Sequence, residues 1–145
     1  MNQPFPSMPL DVPCPCIVCQ SNRKPDPRPS KEDYYFAMAK TASTRSSCNR
    51  GSFGAIIVSP DGYILSTGYN GSPPGEPHCF DVGCQVEDNH CQRALHAEVN
   101  AVAHAAKHGV SLDGASMYVY GGREPCCECT KVLKAVGIFN ETHWR

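Results

Sequence analysis

The chain of 145 residues fits one domain with one core, and 41% of its residues are hydrophobic. Its formal net charge of −1 argues against nucleic acid as a partner, because polyanion-binding proteins usually carry a basic excess. No stretch approaches the roughly 18 to 20 apolar residues of a membrane span, and residues 1–30 lack the apolar run of a secretory signal. These features predict a cytoplasmic protein that has a small-molecule substrate and no membrane partner.

Residues 1–29 form a proline-rich N-terminal segment with few large apolar side chains, so we expect it to be extended. Cys14, Cys16 and Cys19 lie close together within it. They could bind a zinc ion, although no fourth ligand is evident nearby; the alternative is a set of reactive or unpaired thiols. The globular domain is expected over residues 30–145.

The first predicted elements are a helix and a hairpin. Ser30 and Asp33 resemble a capping box, and apolar residues at helical spacing follow them. The β-rich runs at 53–58 and 63–69 flank a Pro-Asp-Gly sequence that is typical of a tight turn.

Two further helices are predicted downstream. From His96, apolar residues recur at i, i+3, i+4 and i+7, and Gly109 marks the end of this helix. The next helix begins near Pro125, a favoured first-turn residue, and ends at Gly137.

Short strands at 117–120 and 138–139, each after a helix, complete the predicted order αββαβαβ. Strands separated by helices favour a mixed sheet that is covered on both faces. The predicted fold class is therefore α/β, a three-layer α/β/α sandwich.

The most informative motif combines His96, Cys126 and Cys129, which form a set of three zinc ligands. Zinc prefers four ligands, so a set of three leaves a position for water, and bound water can ionise near neutral pH to a hydroxide nucleophile. Glu98 is poorly placed to bind the same metal, which favours a role as proton shuttle. This H-x-E…P-C-x-x-C pattern is typical of zinc deaminases that act on nucleobases, and it predicts hydrolytic deamination.

Other readings of these residues exist. A Pro-Cys-x-x-Cys segment alone is commonly a structural zinc half-site or a redox dithiol. Cys127, between the two ligand cysteines, is predicted to be a bystander. His104 and His108 lie four residues apart on a helix, as in some metal pairs, but no third ligand is suggested, so we expect them to be exposed.

Over residues 34–139 the chain is similar to the deoxycytidylate (dCMP) deaminases, particularly the bacterial and phage members, within the zinc-dependent cytidine deaminase superfamily. The resemblance lies in the segments 45–50, 54–58, 68–73, 78–79, 83–84, 90–101, 117–119 and 125–129. It implies a cytidine deaminase-like fold and the hydrolysis of dCMP to dUMP and ammonia.

The resemblance also implies roles for single residues. Asn70 would hold the sugar hydroxyl, and the Ala97 backbone N–H would bind the pyrimidine carbonyl. A 5′-monophosphate needs cationic or hydrogen-bond donors, for which Arg45, Ser46 and Arg50 are candidates. The alternative for both arginines is a solvated surface.

A second, structural zinc is implied as well. Ten cysteines in a reducing compartment suggest metal ligands before disulfides. Four ligands around one zinc ion would also hold in place the long stretch 70–95. The candidate ligands are Cys48, Cys79, Cys84 and Cys91, with His90 or His78 in place of one of these cysteines. The alternative is four free thiols.

The chain departs from the family pattern at two places. Residues 120–124 form a longer connection than is usual, and the chain stops soon after the last predicted strand, so we expect a fold shortened at the C-terminus. Its exposed sheet edge could be covered by a neighbouring subunit or by the N-terminal segment. Assembly as a homo-oligomer, dimer or hexamer, and control by dCTP and dTTP are expectations from the resemblance alone.

Two rival functions stay open from the sequence. One is a deaminase of another cytosine nucleotide or nucleoside, including 5-substituted dCMP; a nucleic-acid base fits the near-neutral charge poorly. The other is a catalytically inactive binding module whose fold is held together by zinc. The presence of Glu98 argues against this second function.

Overall fold

The structure is a computed structural model, and it describes residues 27–122 and 124–145. Cys14, Cys16, Cys19 and most of the predicted N-terminal segment lie outside these residues. In chain order the elements are α1 (Lys31–Ser43), β1 (Gly54–Val58), β2 (Ile64–Tyr69), α2 (Cys79–Val82), β3 (Val86–Glu87), β4 (His90–Cys91), α3 (Ala97–Lys107), β5 (Ser116–Tyr120), α4 (Cys127–Ala135), a 3₁₀ turn (Phe139–Glu141) and β6 (Thr142–Trp144). Over the described ranges, none of the helices has the length and apolar character needed to cross a membrane.

Helix α1 begins where the sequence predicts. The Ser30 hydroxyl accepts a hydrogen bond from the Asp33 backbone N–H at 3.0 Å, so it caps the first turn. One face of the helix, with Tyr35 and Ala39, packs against Ile56 of β1. Capping and packing together fix α1 on one face of the sheet.

The four principal strands form a mixed sheet in the order β2-β1-β5-β6. Strand β1 is antiparallel to β2 and β5, whereas β5 and β6 are parallel and are connected through α4. All five residues of β1 are buried, because helices cover both faces of the sheet at its centre.

The main core lies on the face opposite α1. There Ile57 of β1 and Met117 of β5 pack with Ala101 of α3 and Leu133 of α4, and all four side chains are fully buried. The arrangement confirms the predicted three-layer α/β/α sandwich.

The predicted strand at 138–139 is wrong. Helix α4 ends in a Schellman motif, in which the N–H of Ile138 bonds to the carbonyl of Leu133 and Gly137 has φ +79°. Ile138 is buried as the apolar contact of this motif, not as part of a strand. The last strand, β6, comes after the 3₁₀ turn.

The long stretch 70–95 contains short elements that the sequence did not reveal. Strands β3 and β4 pair around Asp88 and Asn89, which have φ values of +45° and +63°. Both are short polar residues that tolerate this left-handed conformation. Reciprocal hydrogen bonds of 3.1 and 3.0 Å between Gly71 and Leu95 bring the ends of the stretch together.

A close backbone approach fixes α3 against the edge strand β2. A Cβ atom at Gly68 would collide with the carbonyl oxygen of Ala97 and the nitrogen of Ala101. The hydroxyl of Ser66, on the same strand, donates a hydrogen bond of 2.7 Å to the Ala101 carbonyl. Gly68 therefore sets how closely the N-terminal half of α3 lies on the sheet.

Replacement of Gly68 by alanine should push α3 away from β2. We expect Gly68→Ala to lower the free energy of unfolding by about 1–3 kcal/mol or more, because the added methyl group has no space. Denaturant unfolding measures the change. Thr67→Ala, at an exposed position of the same strand, is the control and should cost less than about 1 kcal/mol. Equal losses for the two variants would contradict the prediction.

Candidate metal centre and substrate pocket

The predicted ligands meet at the N-termini of two helices. His96 is the N-cap of α3 and Cys126 is the N-cap of α4, and neither side chain makes a capping hydrogen bond. The His96 Nδ1 atom instead lies 3.4 Å from the Cys126 sulfur and 3.3 Å from the Cys129 sulfur. These three ligand atoms lie within 4.8 Å of one another.

The spacing of this cluster fits zinc. With Zn–S bonds of about 2.3 Å and Zn–N bonds of about 2.0 Å, tetrahedral geometry places a nitrogen and a sulfur ligand about 3.5 Å apart. Both observed distances from His96 are close to this value. The partial positive charges of the two helix N-termini also favour thiolate ligands.

A bound cation would change the ionisation of Cys129. Burial, and then the negative charge of Glu98, raise the pKa of the Cys129 thiol. A divalent cation among the ligands reverses this effect, because it stabilises the thiolate. The donor set and its surroundings therefore fit a bound zinc ion.

A pocket of about 220 Å³ opens onto this cluster. His96, Ala97, Glu98 and Cys126 line one part of it, and only 7% of Glu98 is exposed. The N–H of Ala97, at the first position of α3, has no partner within the helix. The pocket thus combines metal ligands, a carboxylate and a backbone donor.

Asn70 lies in the same pocket, and two hydrogen bonds fix the orientation of its amide. Its Oδ1 accepts from the Phe53 N–H, and its Nδ2 donates to the Gly51 carbonyl, both at 2.8 Å. One Nδ2 hydrogen and one Oδ1 lone pair are left for a ligand.

Of the three candidate phosphate donors, Arg50 lines the pocket, whereas Arg45 and Ser46 do not. Arg45 is exposed. The Ser46 hydroxyl lies within hydrogen-bond distance of the carbonyls of Gly51 and Asn70, at 3.1 and 3.2 Å, so it is engaged inside the protein.

The four predicted ligands of the second site also come together. The sulfurs of Cys48, Cys79 and Cys84 lie within 4.8 Å of one another, and the Cys91 sulfur is 3.6 Å from that of Cys79. Sulfur ligands of a tetrahedral zinc are about 3.8 Å apart, so this spacing fits a second ion. Neither His78, which is the N-cap of α2, nor His90 belongs to the metal-ligand clusters of the described residues.

Two thiols of this second cluster have opposite tendencies. Burial and the neighbouring thiols raise the pKa of Cys79 to about 12. Burial also opposes ionisation of Cys91, but backbone N–H groups, including those of Ala94 and Arg93, outweigh it and lower the pKa of Cys91 to about 7. The backbone donors thus favour the thiolate form of Cys91, and a bound cation would favour the thiolate forms of the other cysteines as well.

The structure adds pocket residues that the sequence analysis missed, among them Phe53 and Asn89. Glu124 also lines the pocket, in keeping with the expectation that the connection 120–124 borders the active site. The Phe53 ring lies between Gly51 and Gly121, and a Cβ atom at Gly121 would overlap it. At the start of a strand Phe53 reads as an ordinary core residue. A signal for Asn89 existed, since Asp88-Asn89 between two short runs is typical of a hairpin turn.

Three further residues with metal-binding side chains are exposed, as predicted. Cys127 is exposed and its sulfur lies 3.8 Å from a carboxylate oxygen of Glu128. His104 and His108 are exposed, with ring centroids 4.4 Å apart, and they belong to neither metal-ligand cluster of the described residues.

Comparison with known proteins places this site in a family. The family model of the cytidine and deoxycytidylate deaminase zinc-binding region matches residues 29–141. The chain is 43% identical over 111 residues to ComE operon protein 2 of Bacillus subtilis, covering 77% of this chain and 57% of that protein. It is 34% identical over 122 residues to the deoxycytidylate deaminase of Mycobacterium phage D29, covering 77% of this chain and 91% of the phage protein. The chain thus spans little more than half of the Bacillus relative.

Solved structures agree with this assignment. The dCMP deaminase of the cyanophage S-TIM5, in complex with dCMP and dUMP, is 33% identical with a TM-score of 0.63, covering 77% of this chain and 78% of that one. A cytidine deaminase from Burkholderia pseudomallei, 19% identical with a TM-score of 0.50, shares the fold. With the family model covering the whole described core and both clusters in place, the chain belongs to the cytidine and deoxycytidylate deaminase family.

Proposed function

We propose that this protein hydrolyses dCMP to dUMP and ammonia in a zinc-dependent reaction. The observation that carries the proposal is the buried Glu98 carboxylate, which lines one pocket together with His96 and Cys126, two members of the ligand set completed by Cys129. Relatives named deoxycytidylate deaminase, and a phage dCMP deaminase solved with dCMP and dUMP, support this choice of substrate.

His96, Cys126 and Cys129 would hold the catalytic zinc. When bound, zinc lowers the pKa of water and so supplies a nucleophile near neutral pH. The remaining tasks fall to the residues of the chain.

Ala97 and Asn70 would bind and orient the nucleotide. The Ala97 N–H donates to the pyrimidine carbonyl oxygen, which turns the amino-bearing carbon C4 toward the metal ligands. Asn70, whose amide is already fixed by Gly51 and Phe53, uses its remaining donor and lone pair for a sugar hydroxyl. This orientation brings C4 of the base to Glu98.

Glu98 would move the protons. Its carboxylate accepts a proton from the attacking water and delivers it to the ring nitrogen N3 as the new C4–O bond forms. Glu98 would then carry the remaining water proton from the new C4 hydroxyl to the exocyclic nitrogen, the C4–N4 bond breaks, the C4 carbonyl forms, and ammonia leaves. The products dUMP and ammonia balance dCMP and water.

Substrate choice is tested by steady-state assays across dCMP, 5-methyl-dCMP, CMP, cytidine and dCTP. We expect kcat/KM to be highest for dCMP and to exceed that for cytidine by about tenfold or more, since a site that pairs polar groups rejects an analogue that lacks one of them. Equal rates with nucleosides would contradict a monophosphate substrate. A preference for 5-methyl-dCMP would favour the 5-substituted rival.

Glu98→Gln should preserve the shape of the pocket but remove the proton acceptor. We expect kcat for dCMP to fall by about 10²–10⁴-fold, the range typical of general acid–base catalysis, with zinc content unchanged. Glu128→Gln is the matched control, because Glu128 is exposed and pairs with Lys131 at 2.7 Å. Turnover by Glu98→Gln within about threefold of the parent would refute the proton-shuttle role.

We further propose that the sulfur cluster of Cys48, Cys79, Cys84 and Cys91 binds a structural zinc. Metal analysis should then find two zinc ions per chain from the two described clusters, and a third equivalent would implicate Cys14, Cys16 and Cys19. Cys129→Ser should lose the catalytic ion and Cys79→Ser the structural one, because each variant loses a thiolate ligand. Cys127→Ser, which replaces an exposed thiol, should keep both. A single ion per chain, or loss of metal from Cys127→Ser, would contradict the assignment.

The cellular setting and the assembly are part of the same proposal. The seven cysteines in the described part of the chain are all free, which supports a reducing, cytoplasmic location. Assembly as a homo-oligomer and control by dCTP and dTTP stay predictions from the family resemblance.

A further inference from the structure

The short hairpin formed by β3 and β4, here called the pocket hairpin (residues 86–91), forms part of the pocket wall. Its strands pair through only two residue pairs, Val86 with Cys91 and Glu87 with His90. An isolated two-stranded ribbon of this length is not stable in water. Contacts from outside the hairpin must therefore hold it in place.

One anchor is at the base of the hairpin, where Cys91 joins the sulfur cluster through its 3.6 Å contact with Cys79. The other is at the tip. There Arg50 Nη1 donates to the Asn89 carbonyl at 2.9 Å, and Arg50 Nη2 donates to the Asn89 Oδ1 at 2.8 Å. Such a bidentate contact fixes both the position and the orientation of Asn89, because the guanidinium is planar and its donors are rigidly spaced.

The tip contact directly precedes His90 in the chain, and the His90 Nδ1 atom lies 3.2 Å from the carbonyl oxygen of Asp88 in the same turn. His90 directly follows Asn89, and its ring lies nearly parallel to the ring of His96, with 6.0 Å between centroids and 25° between planes. Arg50, Asn89, His90 and His96 all line the pocket. A shift of the hairpin tip would therefore move the wall that faces the metal ligand His96.

We propose that Arg50 is a positioning residue, which holds the pocket hairpin through Asn89 and so keeps His90 in the wall that binds the substrate. Two of its terminal N–H groups are committed to Asn89, so its structural task differs from direct phosphate binding. The inference rests on the proposed function, because the wall is assigned to the dCMP pocket. It predicts an effect on substrate binding more than on the chemical step, since no hairpin residue is placed at the reacting atoms.

A double-mutant cycle on dCMP turnover tests the inference, with Arg50→Ala, Asn89→Gly and the double variant. Glycine at position 89 removes the Oδ1 acceptor but tolerates the positive φ of +63°, so the turn itself is kept. We expect Arg50→Ala to raise KM by about tenfold and Asn89→Gly by about threefold, with kcat within about twofold of the parent. The double variant should be no worse than Arg50→Ala, because both changes break the same contact.

Hydrogen exchange provides a second readout that needs no turnover. In Arg50→Ala the backbone amides of the pocket hairpin should exchange several-fold faster, whereas those of α1 should not change, because opening is then local. Arg50→Lys should restore neither the parent KM nor the parent exchange rates, since an ammonium group cannot make the paired hydrogen bonds of a planar guanidinium. Lys107→Ala removes an exposed positive charge from the end of α3 and should leave KM and exchange unchanged.

The cycle separates this inference from a phosphate-binding role for Arg50. If Arg50→Ala raises KM but Asn89→Gly does not, and the exchange of the hairpin amides is unchanged, Arg50 binds the phosphate directly and the inference is wrong. Unchanged KM in both single variants also overturns it. A parent enzyme that does not deaminate dCMP would refute the proposed function, while the exchange experiment would still decide whether Arg50 holds the hairpin.

Discussion

The convergence of two helix N-termini is the constraint on which the site depends. His96 and Cys126 occupy N-cap positions but turn their side chains toward each other, so neither caps its own helix. A side-chain cap is worth about 0.5–2 kcal/mol, and both helices forgo it. Their position is fixed instead by packing: α3 lies directly on Gly68 of β2, and α4 is anchored through the buried Leu133. The sheet therefore supports a ligand arrangement that the helices would not hold alone.

The two clusters border the same pocket. Cys48 belongs to the sulfur cluster, and Cys91 joins it through its contact with Cys79, yet both line the pocket together with His96 and Cys126. An ion in the sulfur cluster would thus organise loops that also form the pocket wall. The proposed division into a structural and a catalytic site rests on the number of protein ligands, since four close the tetrahedron and three leave one position open. In location the two sites are neighbours.

Sequence reasoning predicted those features that depend on local chemistry. The Ser30 cap, the hairpin of β1 and β2 and the helix starts at the metal motif are each encoded within a few neighbouring residues. The strand at 138–139 was wrong because the burial of Ile138 arises from a helix-ending motif, and apolar character alone does not distinguish the two. The pocket wall was missed because Phe53 and Asn89 reach it through contacts between distant segments. Two-residue strands are also too short to leave a periodic pattern.

The position of the Phe53 ring between two glycines affects the size of the pocket. The ring fits because Gly51 and Gly121, on either side, have no side chains, and a Cβ atom at Gly121 would overlap it. The N–H of Gly121 is in turn bound to the Arg145 carbonyl at 3.0 Å, just beyond the last strand. The position of this ring in the pocket thus depends on the absence of side chains at two glycines, one of which is held by a backbone hydrogen bond at the far edge of the sheet. The size of the pocket can therefore change in this protein through positions that do not line it.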